Sequence, residues 1–189
     1  MNTPDDLVFE TERTWVRQWR DQDAARVLDI HSRWDIVRWL DDDPSVLRDL
    51  DQARQKIRRW RELTREGSVI GQWAVQDKAT GIVVGGTNLL TLPRLNREVT
   101  DEVHVGWTLH PDSQGRGYAR EAAAGALVYG FAHGLTEIRA LMFTDNVASA
   151  RVALALGMDD LGVLTDHWYV GESRVFRTTA DSLDRAPVR

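Results

Sequence analysis

Two glycines, one residue apart, stand between a β-patterned segment and an alanine-rich run in HVGWTLHPDSQGRGYAREAAAGAL, His104 to Leu127. No other stretch restricts the fold so strongly. Ahead of the turn, EVHVGWTL (Glu102–Leu109) reads as a strand. Behind it, Ala119, Ala123, Ala126, Leu127 and Phe131 fall on one helical face, so a helix is expected from Gly115 to about Gly134. Its small residues let it lie close to a sheet. Gly115 and Gly117 have no Cβ, so the backbone can turn sharply and approach a ligand. A helix start carries unpaired N–H groups and the positive end of the dipole, which together suit an anion such as pyrophosphate. Arg116 and Arg120 add positive charge there.

The remainder of the chain supplies the sheet. Thr14–Trp19 is rich in β-formers and reads as a first strand. A helix follows, capped by Asp21 or Asp23, with Ala24, Val27, Leu28 and His31 on one face. After a turn at Asp41–Ser45, a longer helix carries Leu50, Ala53, Ile57, Trp60 and Leu63 in one stripe, and Gly67 stands where a C′ glycine belongs. VIGQWAVQD and GIVVGGTNLLTL read as a hairpin around Asp77–Gly81, followed by a polar loop over 95–100. EIRALMF reads as a strand, Asn146–Leu156 as a helix ended by Gly157, and two weaker strands fall near 162–164 and 174–178. The order β-α-α-β-β-β-α-β-α-β-β predicts a mixed α/β fold, with about seven strands in the central sheet and about four helices flanking it. With 189 residues, one domain is expected over 1–189, its core at about 10–180 and a frayed tail at 181–189.

Composition removes several function classes. The net charge of −5 argues against a nucleic-acid partner, because phosphate chains are bound by concentrated Lys and Arg. No cysteine is present, which excludes disulfides, thiolate metal sites and a cysteine nucleophile. MNTPDDLVFETERTW has neither the basic nor the apolar region of a secretory signal. No apolar run approaches the ~18 residues of a spanning helix, so no membrane partner is expected and the cytoplasm is the expected location. DDDP lacks the spacing of a calcium loop, and no metal is expected. RQKIRRWRELTR reads as a solvated helix face rather than a recognition helix.

Three anion-binding turns compete for the glycine motif. A Walker A loop needs Lys-Ser or Lys-Thr after its last glycine, where this chain has Tyr118-Ala119; a dinucleotide fingerprint needs a third glycine or alanine where it has Arg120. The third pattern, Gln/Arg-x-x-Gly-x-Gly/Ala, fits QGRGYA. In that frame the chain resembles the GNAT superfamily N-acetyltransferases, in particular the Rim-like branch that acetylates ribosomal-protein N-termini. TERTWVRQWRDQDA, HVGWTLHPDSQGRGYAREAA and NVASARVALALGM carry the likeness, which covers most of the chain.

The resemblance implies a sheet splayed beside Glu102–Leu109 and acetyl-CoA as co-substrate. The pantetheine arm would pair with backbone at Trp107, Thr108 and Leu109, whose N–H groups would polarise the thioester. Gln114, Gly115, Arg116, Gly117, Tyr118 and Ala119 would hold the pyrophosphate. Asn146 matches a pantetheine contact and is also a natural helix N-cap; Ser149 matches a CoA-contacting position. The acceptor amine must lose a proton, and a base with pKa near the working pH is efficient. Glu102, His104, Gly106 and Thr108 share one strand face. His104 or Glu102 is therefore the expected base, although a histidine packed between sheet and helix reads as well. Many relatives have glutamate in place of His104, and many carry an acidic tyrosine where this chain has Ala153. Water, Ser149 or Tyr118 are the remaining proton sources for the leaving thiolate.

The expected acceptor is a small-molecule amine or a peptide or protein N-terminus. Trp15, Trp19, Trp34, Trp39 and Trp60 cluster in the first third, as core, as an aromatic acceptor pocket or as the face of a homodimer. An acyl-CoA sensor without transfer, or a transferase using another donor such as succinyl-CoA, are the alternatives.

Overall fold

The computed structural model describes residues 3–64, 68–91, 100–165 and 170–183. Gly67, most of the polar loop at 95–100 and the end of the tail lie outside the described residues. The elements run β1 (Leu7–Glu10), β2 (Thr14–Arg17), α1 (Ala24–His31), α2 (Trp34–Val37), α3 (Leu50–Leu63), β3 (Gly71–Asp77) and β4 (Val83–Thr91). They continue with β5 (Val103–Leu109), α4 (Tyr118–Ala132), β6 (Glu137–Phe143), α5 (Val147–Ala155), β7 (Asp159–Thr165), β8 (Glu172–Thr179) and α6 (Ala180–Leu183). The strands form one sheet in the order β1-β2-β3-β4-β5-β6-β8-β7. Every neighbouring pair is antiparallel except β5 with β6.

The mixed α/β architecture is the one expected, with one strand more. β1 is only four residues long, and its pairing with β2 (Phe9↔Val16) is set by the sheet rather than by a local pattern. Alternation along β3 sorts the two faces. Trp73 and Val75 join α4, through Ala122, Ala123, Ala126 and Leu127, in the larger core. Ala74 joins Trp19, Val27, Ala53 and Ile57 of the opposite face, where α1 and α3 pack.

Two local expectations change. Neither Asp21 nor Asp23 caps α1 with its side chain. The Asp23 carboxylate instead takes Arg17 Nη1 and Nη2 at 2.8 and 3.0 Å and the Arg20 N–H at 2.8 Å. Arg17 is 1% exposed, so its charge is satisfied inside the fold by this pair and by Gln76. At the ends of α3, Leu50 and Leu63 leave the buried stripe and are exposed.

Candidate active site

β5 is paired with β4 along its whole length, from Thr91↔Val103 to Gly85↔Leu109. On its other side, one register pair, His104↔Arg139, ties it to β6 among the described residues. Beyond His104 the two parallel strands part, and a cleft opens between them. It consists of two cavities that share Trp39, Leu40, Trp107, Thr108, Asn146 and Ser149 as a common wall.

The first cavity, of about 410 Å³, also touches Leu109, Gln114, Gly115 and Ala119. It therefore gathers most of the residues expected at a CoA site. Gly115 and Gly117 have φ of +70° and +81°, the left-handed region that a β-branched residue enters only under strain. The first hydrogen bond of α4 runs from Glu121 N–H to the Gly117 carbonyl, so the amides at the very start of the helix have no helical acceptor. Asn146 caps α5 by accepting the Ser149 N–H at 3.1 Å and lines the cleft as well. The N-cap role is thus seen directly, and the side chain stands on the cleft where the resemblance puts a pantetheine contact.

Arg116 and Gly117 stand on the exposed turn rather than in the cavity wall. Tyr118 is turned away from the cleft. Its hydroxyl donates to Asp77 Oδ2 at 2.6 Å, and that bond, with burial, pushes the phenol up. This corrects the expectation of Tyr118 as a proton source: the side chain anchors the helix start to the β3–β4 turn. Arg13 was missed in the sequence. Its guanidinium donates to the Arg116 carbonyl at 3.1 Å and to Glu121 at 2.6 Å, and it lies 4.8 Å over the Tyr118 ring. It braces the turn from β2's side, through contacts more than 100 residues away in sequence that no local pattern announces. Ala153 is fully buried, so no group reaches the cleft from the position where relatives carry tyrosine.

The second cavity, of about 280 Å³, touches His104, Gly106, Asn88, His31, Lys56 and Trp60. His104 Nδ1 lies 2.9 Å from the Leu90 carbonyl oxygen. A carbonyl only accepts, so Nδ1 carries the proton and Nε2 holds the free lone pair. Burial pushes the ring down from 6.5 to about 4, against the Leu90 bond, and His104 is neutral at pH 7. The expected near-neutral value is corrected accordingly.

Glu102 is not brought to the cleft. It precedes β5, and its Oε1 accepts from Arg139 Nη1 at 2.6 Å, on the wall of a separate pocket. Period-2 alternation put it on the right face but could not foresee an ion pair with a residue on β6. Gly106 lines the cavity, and a Cβ there would lie 2.7 Å from Asn88 Nδ2, so a larger residue would press on that side chain. Trp19, Trp39 and Trp60 line the cavity, Trp15 packs in the core, and Trp34 is 55% exposed and outside the lining. Of the five clustered tryptophans, Trp19, Trp39 and Trp60 are thus the ones placed on the cavity, and Trp15 and Trp34 are not.

No group of three or more His, Asp or Glu residues that could hold a metal ion occurs among the described residues. No helix among them is long and apolar enough to cross a membrane.

A parallel strand pair held at one end and parted at the other, with a glycine turn at one mouth and a histidine at the other, is the arrangement that the acyltransferase resemblance implies. The chain belongs to the Acetyltransferase (GNAT) domain family, which it matches over residues 13–159. It is 29% identical over 163 residues to the uncharacterized N-acetyltransferase YoaA of Bacillus subtilis (strain 168), covering 86% of this chain and 88% of YoaA. It is 30% identical over 165 residues to the uncharacterized protein YkkB of the same organism, covering 84% and 87%. Among solved structures it resembles the ribosomal-protein-S5-alanine acetyltransferase of Vibrio fischeri, with a TM-score of 0.70, 22% identity and coverage of 93% and 97%. It also resembles RimJ of Mycobacterium smegmatis in complex with CoA-disulfide, with a TM-score of 0.71, 19% identity and coverage of 90% and 83%. These structural likenesses are ones of fold, and they agree with the Rim-like resemblance of the sequence.

Proposed function

We propose that this acetyltransferase moves the acetyl group of acetyl-CoA to a primary amine by direct attack on the thioester. The observation that carries the reading is His104: neutral, with Nε2 unprotonated, on a cavity that shares a wall with the one beside the glycine turn. Acetyl-CoA supplies a thioester carbonyl as electrophile and a thiolate as leaving group. Amides at the start of α4 and Gln114 bind the pyrophosphate, and backbone of Trp107–Leu109, unpaired with β6, binds the pantetheine arm. An N–H there stabilises the oxyanion. His104 Nε2 takes the proton that the attacking amine loses. The Ser149 hydroxyl or water returns a proton to a thiolate that needs little help, since thiols ionise near pH ~8.5.

We take residues 1–189 as one acyltransferase domain working in the cytoplasm. Mass spectrometry of acetyl-CoA incubated with a panel of amines and N-terminal peptides tests the reading. An acetylated product that fails to form with His104→Gln supports it. Saturable CoA binding with no product from any amine replaces it with an acyl-CoA sensor, and a product only with succinyl-CoA replaces the donor.

A further inference from the structure

The amine-side cavity has an unusual charge for a site that receives an amine. Among the described residues, no aspartate or glutamate lines it, and the one ordinarily charged residue that does is Lys56. Lys56 is half-buried on the inward stripe of α3, three residues after Ala53 and four before Trp60, while its neighbours Arg54, Arg58 and Arg59 are exposed. Its Nζ lies 5.3 Å from the centre of the Trp60 ring, which stacks against Trp19 at 5.0 Å and His31 at 5.5 Å. Among the described residues it has neither an ion pair nor a hydrogen bond. Burial pushes it down, the Asp41 carboxylate opposes that shift, and its charge in turn helps to push His31 down. The same wall holds further unmet polarity: Trp19 Nε1–H and Asn88 Oδ1 are buried without partners.

A half-buried ammonium with no carboxylate in ion-pair range among the described residues is costly, since Asp41 acts on it only from farther off, and an incoming carboxylate offsets that cost. A second ammonium in the same space is repelled. Resting on the reading above, we propose that the acceptor is a small amino acid-like molecule, an amine carrying a free carboxylate, and that Lys56 receives the carboxylate while the amine faces His104. The substrate amine enters beside a fixed positive charge, which favours the unprotonated nucleophile. Polyamines and other acceptors with a second cation are excluded by the same charge. Lys56 is thus a specificity-determining residue.

The test is a binding experiment, so it does not depend on turnover. CoA-loaded protein is titrated with alanine, leucine and phenylalanine, each as free acid, carboxamide and decarboxylated amine, and tryptophan fluorescence reports on Trp19, Trp39 and Trp60. At least one set is expected to favour the acid by roughly tenfold or more, the scale of one charge-assisted hydrogen bond. Lys56→Met, which keeps the aliphatic stem over Trp60, abolishes that preference, and Lys56→Arg retains it. Circular dichroism establishes that both variants fold. If in every set the acid binds no more tightly than its amide, or if Lys56→Met keeps the preference, the proposal is overturned. Acetylated product is scored separately: its absence alongside an acid preference counts against acetyl transfer and leaves the carboxylate site standing.

Discussion

His104 Nδ1 lies 2.9 Å from the carbonyl oxygen of Leu90, its register partner on β4, and this contact decides which ring nitrogen has a lone pair to offer. The sheet itself, through the antiparallel ladder, sets the tautomer. His104→Gln keeps the size and loses the basic nitrogen. We expect kcat to fall by about 10²- to 10⁴-fold, the usual worth of a positioned base, with little change in CoA affinity. Wild-type activity gains nothing from His104 titration near 6.5, because the ring is neutral down to about pH 4. Full kcat in His104→Gln, or an inflection near 6.5 that vanishes in the variant, would contradict this assignment.

His31 predicts how the fold responds to acid. Burial, with Lys56 adding to it, pushes His31 down to about 3, against roughly 6.5 in an unfolded chain. Between those values the unfolded state binds more protons, so stability is complete above about 6.5 and is lost as pH falls toward 3, by an amount on the order of a few kcal/mol. His104 contributes with the same sign down to about 4. Carboxylates held below their ordinary range, such as Asp77, act only at lower pH. Urea midpoints at pH 7.5 and 4.5 are expected to differ clearly in the wild type and by about half as much in His31→Phe, where His104 still responds.

Tyr118→Phe separates anchoring from chemistry. It removes a buried hydrogen bond to the Asp77 carboxylate, worth about 1.5–3 kcal/mol. Thermal midpoint should fall and CoA affinity should weaken modestly, as the helix start loosens. The alkaline side of the rate profile should stay as in the wild type, because Tyr118 lines neither cavity. A lost alkaline limb would restore Tyr118 as the proton source for the thiolate.

The glycine turn is tested by Gly115→Val with Gly117→Val. Each valine must adopt positive φ, at about 1–3 kcal/mol of strain, and the turn is expected to relax away from the anion-binding shape. CoA affinity measured by calorimetry should drop by about 10- to 100-fold in a protein that still shows the native circular dichroism spectrum. Unchanged affinity in that folded variant would remove the turn from the binding site.

Local patterns carried most of the fold. Strand, turn and helix from Val103 to Ala132 are written in consecutive residues, so alternation, glycines and alanine spacing suffice to place them. β1 escaped because four residues hold too little period, and only the edge of the sheet makes them a strand. The site divides in the same way. Trp107, Thr108, Leu109, Gln114, Gly115 and Ala119, with Asn146 and Ser149, line one cavity and are legible from motifs in chain order. Glu102 left the site through an ion pair 37 residues away, and Leu90 fixes His104 across a hairpin. Lys56 was readable in principle: Ala53, Lys56, Ile57 and Trp60 share helical spacing, but a run of arginines around it made the whole segment look solvated.

The wall shared by the two cavities has a kinetic meaning. Trp39, Leu40, Trp107, Thr108, Asn146 and Ser149 border both chambers, so a thioester seated in one becomes a surface of the other. On the proposed function, the amine would meet a receptor built partly of its own reaction partner. Ordered addition, nucleotide before amine, is the rate law that such a joint boundary favours, with spent coenzyme competing for the first place in line.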